Sequence, residues 1–366
     1  MGNKRVCSFL ILALLFLLIV GTIGCSKDEA AKDDTTNGSD EPGAVADEKI
    51  YEVKFNNTTP EVAPTNQFIK EWAKTIEERS NGRVKFTFYW SNSLISDPTD
   101  IPKGVASGVA DISWLAITNI PGNMTLELTY LPGLAWPSLE AGTEIYGQLL
   151  EEFEVLQEEY SSLGMKLYTF WRGGPSHVYT TKKLVKTPDD MRGLRFIASG
   201  FYSDIINQLG GTPVTIGPGD WYTSTERGMV DGIIIGLNVL SAFNLIPLME
   251  NYTLLGDSGL AMDLYALVMN PDFYNSLPPD LQAIFDEEAP KLQKALIQDQ
   301  IDQGAYVLHV AEKEHGHNIT KLTDDEVQVW VEACKDLHEE VIQRHEASGK
   351  PAREVYNRMV ELIASY

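Results

Sequence analysis

The chain is 366 residues long and carries 52 acidic against 29 basic side chains, a formal net charge of −23. That balance excludes the basic stripe of a nucleic-acid binder and the cationic face of a membrane-surface protein. With 43% hydrophobic residues, the chain can build more than one buried core.

The N-terminus opens with Lys4 and Arg5, then an apolar run from Phe9 to Val20. About a dozen residues are too few to span a bilayer but suit the apolar region of a secretory signal. The run closes on Thr22-Ile23-Gly24-Cys25, which resembles a bacterial lipobox, with Thr22 where leucine is usual. The expectation is a signal peptide over 1–24 and lipidation of Cys25; the alternative is an ordinary cleaved signal with an incidental cysteine. Residues 25–48 are acidic, with too little apolar surface to offset ordering entropy, and read as a tether. Once Cys7 is removed and Cys25 lipidated, only Cys334 remains, so no intrachain disulfide is expected.

In the body, Tyr51–Phe55 alternates like a strand. Thr65 is placed to cap a helix over Asn66–Ser80 that stops at Asn81-Gly82. Val84–Trp90 alternates again, followed by a helix near Asp100–Ser107, a strand at Ala110–Ala116 and an irregular Pro- and Gly-rich stretch. An acidic amphipathic helix is predicted over Leu139–Leu163 and a strand over Lys166–Trp171. Leu194–Ala198 and Thr212–Ile216 are short β-rich runs, each leading into a helical segment, and a third strand begins at Val230-Asp231-Gly232. This β-α-β-α-β order favours a parallel sheet, with any ligand beyond the carboxyl ends of its strands. A strand at Leu264–Met269, a long helix from Pro279 to roughly His315, a capped helix from Thr323 to about Ser348 and a terminal helix over 351–365 complete an α/β pattern.

Signature motifs of catalysis are missing: there is no G-x-S-x-G, P-loop, H-E-x-x-H or dinucleotide fingerprint. His309, Glu312, His315 and His317 cluster, but Gly316 breaks their helix, and an exposed helix end explains them better than a metal site. Neither enzyme activity nor a cofactor is expected.

Several stretches, taken in order, resemble the extracytoplasmic substrate-binding proteins of tripartite ATP-independent periplasmic (TRAP) transporters, the DctP type. They are Phe55-Asn56-Asn57, Ser80-Asn81-Gly82-Arg83-Val84, the run 104–112, Tyr130-Leu131-Pro132, Lys186–Arg195, Leu209–Val214 and Gly228–Gly232. The resemblance covers roughly 50–345. It implies a two-domain periplasmic-binding-protein-like α/β fold (type II) with a hinge and a long connecting helix. One domain would hold 49–172 and 263–300, the other 173–262 and 301–366. It further implies that a lipid-anchored receptor closes on a small organic solute and delivers it to TRAP membrane subunits. A ligand sensor of the same fold, signalling through a membrane partner, is the alternative.

In the family, the strand equivalent to Gly193–Ile197 ends in an arginine that pairs with a substrate carboxylate; here that position is Ile197. The exchange removes a charge-assisted contact of about 1.5–3 kcal/mol. Arg195 is read as a surface residue. Family positions that bear an acid, a metal ligand in some members, fall on Ile234 and Ile235, so no metal is expected. The pocket is therefore expected to be less polar than usual and to take an aromatic solute or an organic acid. Of the aromatics Trp90, Trp114, Trp171, Phe201 and Trp221, the resemblance favours Trp114 and Phe201 as ligand contacts. Arg172 and His177 are candidate anion contacts, and Asn57, Ile235 and Asn238 complete the expected ligand-binding set.

Overall fold

The computed structural model describes residues 49–120 and 122–366; the signal-like segment, Cys25 and the acidic stretch to 48 lie outside the described residues. Ten strands form the described sheet: β1 (Tyr51–Asn56), β2 (Val84–Tyr89), β3 (Ile112–Ala116), β4 (Lys166–Thr180), β5 (Arg195–Ile197), β6 (Thr212–Val214), β7 (Gly232–Gly236), β8 (Asn251–Leu254), β9 (Met262–Met269) and β10 (Asn318–Lys321). Their order is β2-β1-β3-β9-β4-β7-β5-β6, with β8 on β4 and β10 on β8. Alternation explains β1, where Val53 and Phe55 are buried and Glu52 is exposed. β9 is apolar almost throughout because it lies between β3 and β4 and is buried at every position.

The predicted β-α-β-α-β segment is parallel: β5 pairs in parallel with β6 on one side and β7 on the other. β4 is longer than the sequence suggests. It pairs with β9 from Lys166 to Pro175, then continues along β7 and β8 to Thr180. The register shifts between Arg172 and Pro175, at Gly173-Gly174. A Cβ on Gly173 would lie 2.5 Å from Tyr265 Cε2 and 2.8 Å from Asp263 Cβ, so this crossing requires glycine. The two glycines look like a strand end in sequence, but they only interrupt the register.

Other boundaries move for identifiable reasons. Pro64 is already helical at φ −54°, so the first helix begins at Thr65, whose hydroxyl donates to Asp299 Oδ2 (2.5 Å) instead of capping. The acidic helix predicted over 139–163 is two, Leu139–Glu152 and Glu154–Ser161, because extended backbone at Phe153 lets Leu149 and Leu156 both reach the core. Residues 324–347 likewise break at buried Cys334, though the capping box of Thr323 and Glu326 forms as expected. The Pro- and Gly-rich stretch hides a helix, Met124–Thr129, capped by the Asn123 side chain.

The 35-residue helix Pro279–Lys313 packs against helix Thr65–Arg79, β4 and helix Leu237–Ala242. Its first half, through Leu281, Phe285 and Leu292, joins an apolar core that includes β1, β3 and β9. Its second half, through Val307 and Val310, joins a smaller core with Tyr179, Ile233 and Leu240. The long helix therefore belongs to both cores, and β4 likewise sends Trp171 to the first and Tyr179 to the second.

Candidate functional site

The loops at the carboxyl ends of β1, β2 and β3 face those of β5, β6 and β7 across a cavity of about 1040 Å³. This is where a parallel arrangement gathers ligand-binding loops. Strand residues make the deep wall: Trp114 and Ala116 from β3, Trp171 from β4, Ile197 from β5, Ile233–Ile235 from β7, and Asp263 and Tyr265 from β9. Tyr265 is flanked by two indoles, its ring centroid 5.1 Å from that of Trp114 and 5.8 Å from that of Trp171. Trp221, its ring centroid 4.8 Å from that of Phe243 and tilted by 54° to it, lines the opposite lobe, and Gln300 and Gln303 reach in from the long helix.

Asp263 is the one charged side chain of the deep wall and is only 4% exposed. Its Oδ1 accepts from the Tyr202 hydroxyl (2.8 Å) and its Oδ2 from the Tyr265 hydroxyl (2.9 Å). Tyr202 has one proton and gives it to Asp263, so Ser176 donates to the Tyr202 oxygen at 2.6 Å. Burial holds the Asp263 carboxyl above its ordinary range, and the tyrosine hydroxyls offset this only in part. Several polar atoms of the wall have no protein partner: Trp171 Nε1, Gln300 Oε1, Gln303 Oε1, Asn238 Oδ1 and Asn92 Oδ1. Buried polar atoms left this way cost stability, which a bound solute or water recovers.

The residues expected from sequence divide evenly. Trp114, Ile197, Ile235 and Asn238 line the cavity. Asn57, Arg172, His177 and Phe201 lie off its wall. Asn57 is fully buried: its Nδ2 donates to Asn66 (2.9 Å) and its Oδ1 accepts from the backbone N–H and hydroxyl of Thr59, both 2.9 Å. It shapes the loop that brings Thr58 and Thr59 to the cavity. Phe201 is core, and its neighbour Tyr202 is the lining residue.

Because β4 does not end at Trp171, Arg172 and His177 sit within it, not in a loop. Trp171 lines the cavity, and successive strand side chains point to opposite faces. Arg172 stacks over the Trp136 ring (4.1 Å), fully buried, with one long hydrogen bond to the Thr129 carbonyl oxygen (3.4 Å). Burial pushes its guanidinium down to about 10, partly opposed by the charge of Asp263. His177 Nδ1 accepts from the Leu255 N–H (3.1 Å), and burial lowers the ring to about 4, so it is neutral. Of the other aromatics, Trp171 and Trp221 line the cavity, while Trp90 stacks on Phe88 away from it. Arg195 is exposed and paired with Asp231 (3.0 Å).

Asp263, Tyr202, Tyr265, Gln300 and Gln303 were not anticipated. A signal for Asp263 existed: a lone acid inside Leu260–Met269, otherwise apolar, is an expensive residue to bury without a purpose. Starting that strand at Leu264 left it out. Among the described residues, no group of three or more His, Cys, Asp and Glu converges to hold a metal; His317 instead bonds the Ile246 carbonyl oxygen (2.9 Å).

The model of DctP, bacterial extracellular solute-binding protein family 7, matches residues 55–345. The chain belongs to this family. A solute-binding protein of Chromohalobacter salexigens is 25% identical over 187 residues, 48% of this chain and only 52% of that relative. The C4-dicarboxylate-binding protein DctB of Bacillus subtilis is 22% identical over 90% of this chain and 93% of its own. A TRAP solute-binding protein from a marine metagenome, described as specific for aromatic acids and holding 3-hydroxybenzoate, superposes with a TM-score of 0.79 at 22% identity, over 87% of this chain and 99% of that one. The mixed α/β architecture with its long helix is thus that of the TRAP solute-binding proteins, and the DctP family is an extracytoplasmic one. No described helix is long and apolar enough to cross a membrane.

Proposed function

We propose that this DctP-family protein is the receptor of a TRAP transporter, capturing one small organic solute in the 1040 Å³ cavity and presenting it to membrane subunits. The observation that carries the reading is a cavity walled by aromatics from both cores, with buried polar atoms still lacking partners. Ligand pockets of this size, apolar with a few convergent polar groups, suit a single small molecule.

Capture proceeds by closure of two lobes, 49–172 with 263–300 against 173–262 with 301–366. The division is supported by β4, which changes partners at Gly173-Gly174, and by the smaller core, drawn wholly from the second set of residues; the larger core draws on both sets. Cys25 is the lipidated residue, and the acidic stretch 25–48 is its tether. Replacing Cys25 by Ala is expected to release the protein from the membrane fraction.

The test is a thermal-shift screen of the purified protein against organic acids, alcohols and amines of ring size. A true solute at a hundredfold excess over its Kd should stabilise the protein by about 2.7 kcal/mol. A screen with no stabilising member of any class would sink the reading.

A further inference from the structure

The cavity carries charge of one sign. Asp263 lies on its deep wall, and Asp97 and Asp220 lie on its loops. Among the described residues that line it, none is Lys, Arg or His. The nearest cation along β4, Arg172, is sealed under Trp136, off the cavity wall, and its charge already acts on Asp263. A carboxylate entering this space would meet acids without a paired cation, an arrangement that costs several kcal/mol when buried.

The unpartnered polar atoms point the same way. Gln300 is 3% exposed; it turns its amide nitrogen to Asp299 (3.4 Å) and leaves Oε1 free at the cavity. Gln303 Oε1, Asn238 Oδ1 and Asn92 Oδ1 are also free acceptors, against two free donors of the lining, Trp171 Nε1 and the Thr58 hydroxyl, which can accept as well. A carboxylate only accepts, whereas an ammonium only donates. Asp263 takes the hydroxyls of Tyr202 and Tyr265, with Tyr130 also acting on it, and its two oxygens, with about four lone-pair sites between them, keep acceptor capacity for a donor from the solute. The faces of Trp114, Tyr265 and Trp221 attract cations and stack on rings.

Resting on the receptor reading above, we propose that the solute is an organic cation: a protonated amine on an apolar, ring-sized body. Asp263 receives the ammonium, the glutamine and asparagine oxygens take its remaining hydrogens, and the indoles hold the body.

The test is calorimetric titration of the full-length protein with matched probes: phenethylamine, 2-phenylethanol and phenylacetate, widened to amine, alcohol and carboxylate sets of other ring sizes. Amines should bind tighter than their carboxylate counterparts by about tenfold to a hundredfold. Asp263→Asn should erase that preference. Because Asp263 also anchors two tyrosines, Asp220→Asn serves as a milder variant and should narrow the preference by about twofold. Ile197→Arg, which adds a cation to the wall, should shift the preference towards carboxylates. Wild-type binding of carboxylates as tight as of amines overturns the proposal but leaves the receptor reading intact. Failure of every class to bind overturns both.

Discussion

The cavity and the C-terminal seam both bury carboxylates, and they treat them oppositely. At the seam, Glu127 accepts from Arg344 Nη2 (2.7 Å) and from His345 Nε2 (2.6 Å). Glu159 accepts from the N–H groups of Met124 (2.7 Å) and Thr125 (3.0 Å), the Thr125 hydroxyl and Lys350. Burial works against Glu127, but hydrogen bonds from His345 and Arg344 prevail and hold it below the usual range. At the cavity, Asp263 has tyrosine hydroxyls and no ion pair, and its carboxyl is held above that range. A buried acid that is fully partnered fastens helices together. One that lacks a cation is costly, and its persistence makes sense where something else binds.

The largest expected effect tests the seam. Glu127→Ala leaves the buried His345 ring without its acceptor and the half-exposed Arg344 with only its long pair to Glu340 (3.9 Å). The expected loss is about 3 kcal/mol in urea denaturation. Glu127→Gln, which retains an acceptor, should cost less, and Arg344→Ala below about 1 kcal/mol because that side chain reaches solvent. If Glu127→Ala costs no more than Arg344→Ala, the seam does not fasten the C-terminal helices and the contrast with the cavity fails.

Much of this contrast was hidden in the sequence. Periodicity located most strands and the long helix, and the β-α-β-α-β run gave the parallel strands whose loops border the cavity, because those signals are local. Ile197 and Ile235 both line the cavity, each reached by counting a few residues from a glycine, Gly193 or Gly232, along a short strand. Arg172 and His177 fall beyond the strand end expected at Trp171 because Gly173-Gly174 imitates a terminus, while the strand's hydrogen bonds to β9 and β7 are long-range. The partners of Glu127 lie more than two hundred residues away, beyond the reach of any local pattern. Asp263 falls outside the expected strand because the apolar stretch after it draws the boundary, and of its hydroxyl partners only Tyr265 is local, Tyr202 lying 61 residues away.

A second test asks whether a polar group of the cavity lobe that does have a partner behaves like the seam. His177, accepting from Leu255, is neutral with its folded pKa lowered to about 4 from 6.5. A depressed histidine contributes stability that is complete above pH 6.5 and is lost as pH falls toward 4. At pH 5 the loss from this group should be roughly 2 kcal/mol relative to pH 7. His317 and His338 are lowered too and act in the same direction, so the difference between wild type and His177→Asn isolates the contribution. An identical pH profile for the two would mean that His177 protonates without penalty and is not the neutral acceptor its geometry implies.

The smallest effect bears on the cavity itself. Arg172 and Asp263 feel each other's charge without forming a direct ion pair, so each is the other's incomplete compensation. Arg172→Met keeps an apolar stem under Trp136 while deleting the charge. Asp263→Asn keeps the size and an acceptor for one tyrosine while deleting the opposite charge. Each single variant leaves an uncompensated buried charge; the double variant leaves none. The double variant should therefore be about 1 kcal/mol more stable than the sum of the single losses predicts. Additive losses would mean that Asp263 is tolerated without help from Arg172, with the tyrosines alone carrying it. In that case the cavity's acid resembles the seam's after all, differing only in the kind of donor that surrounds it.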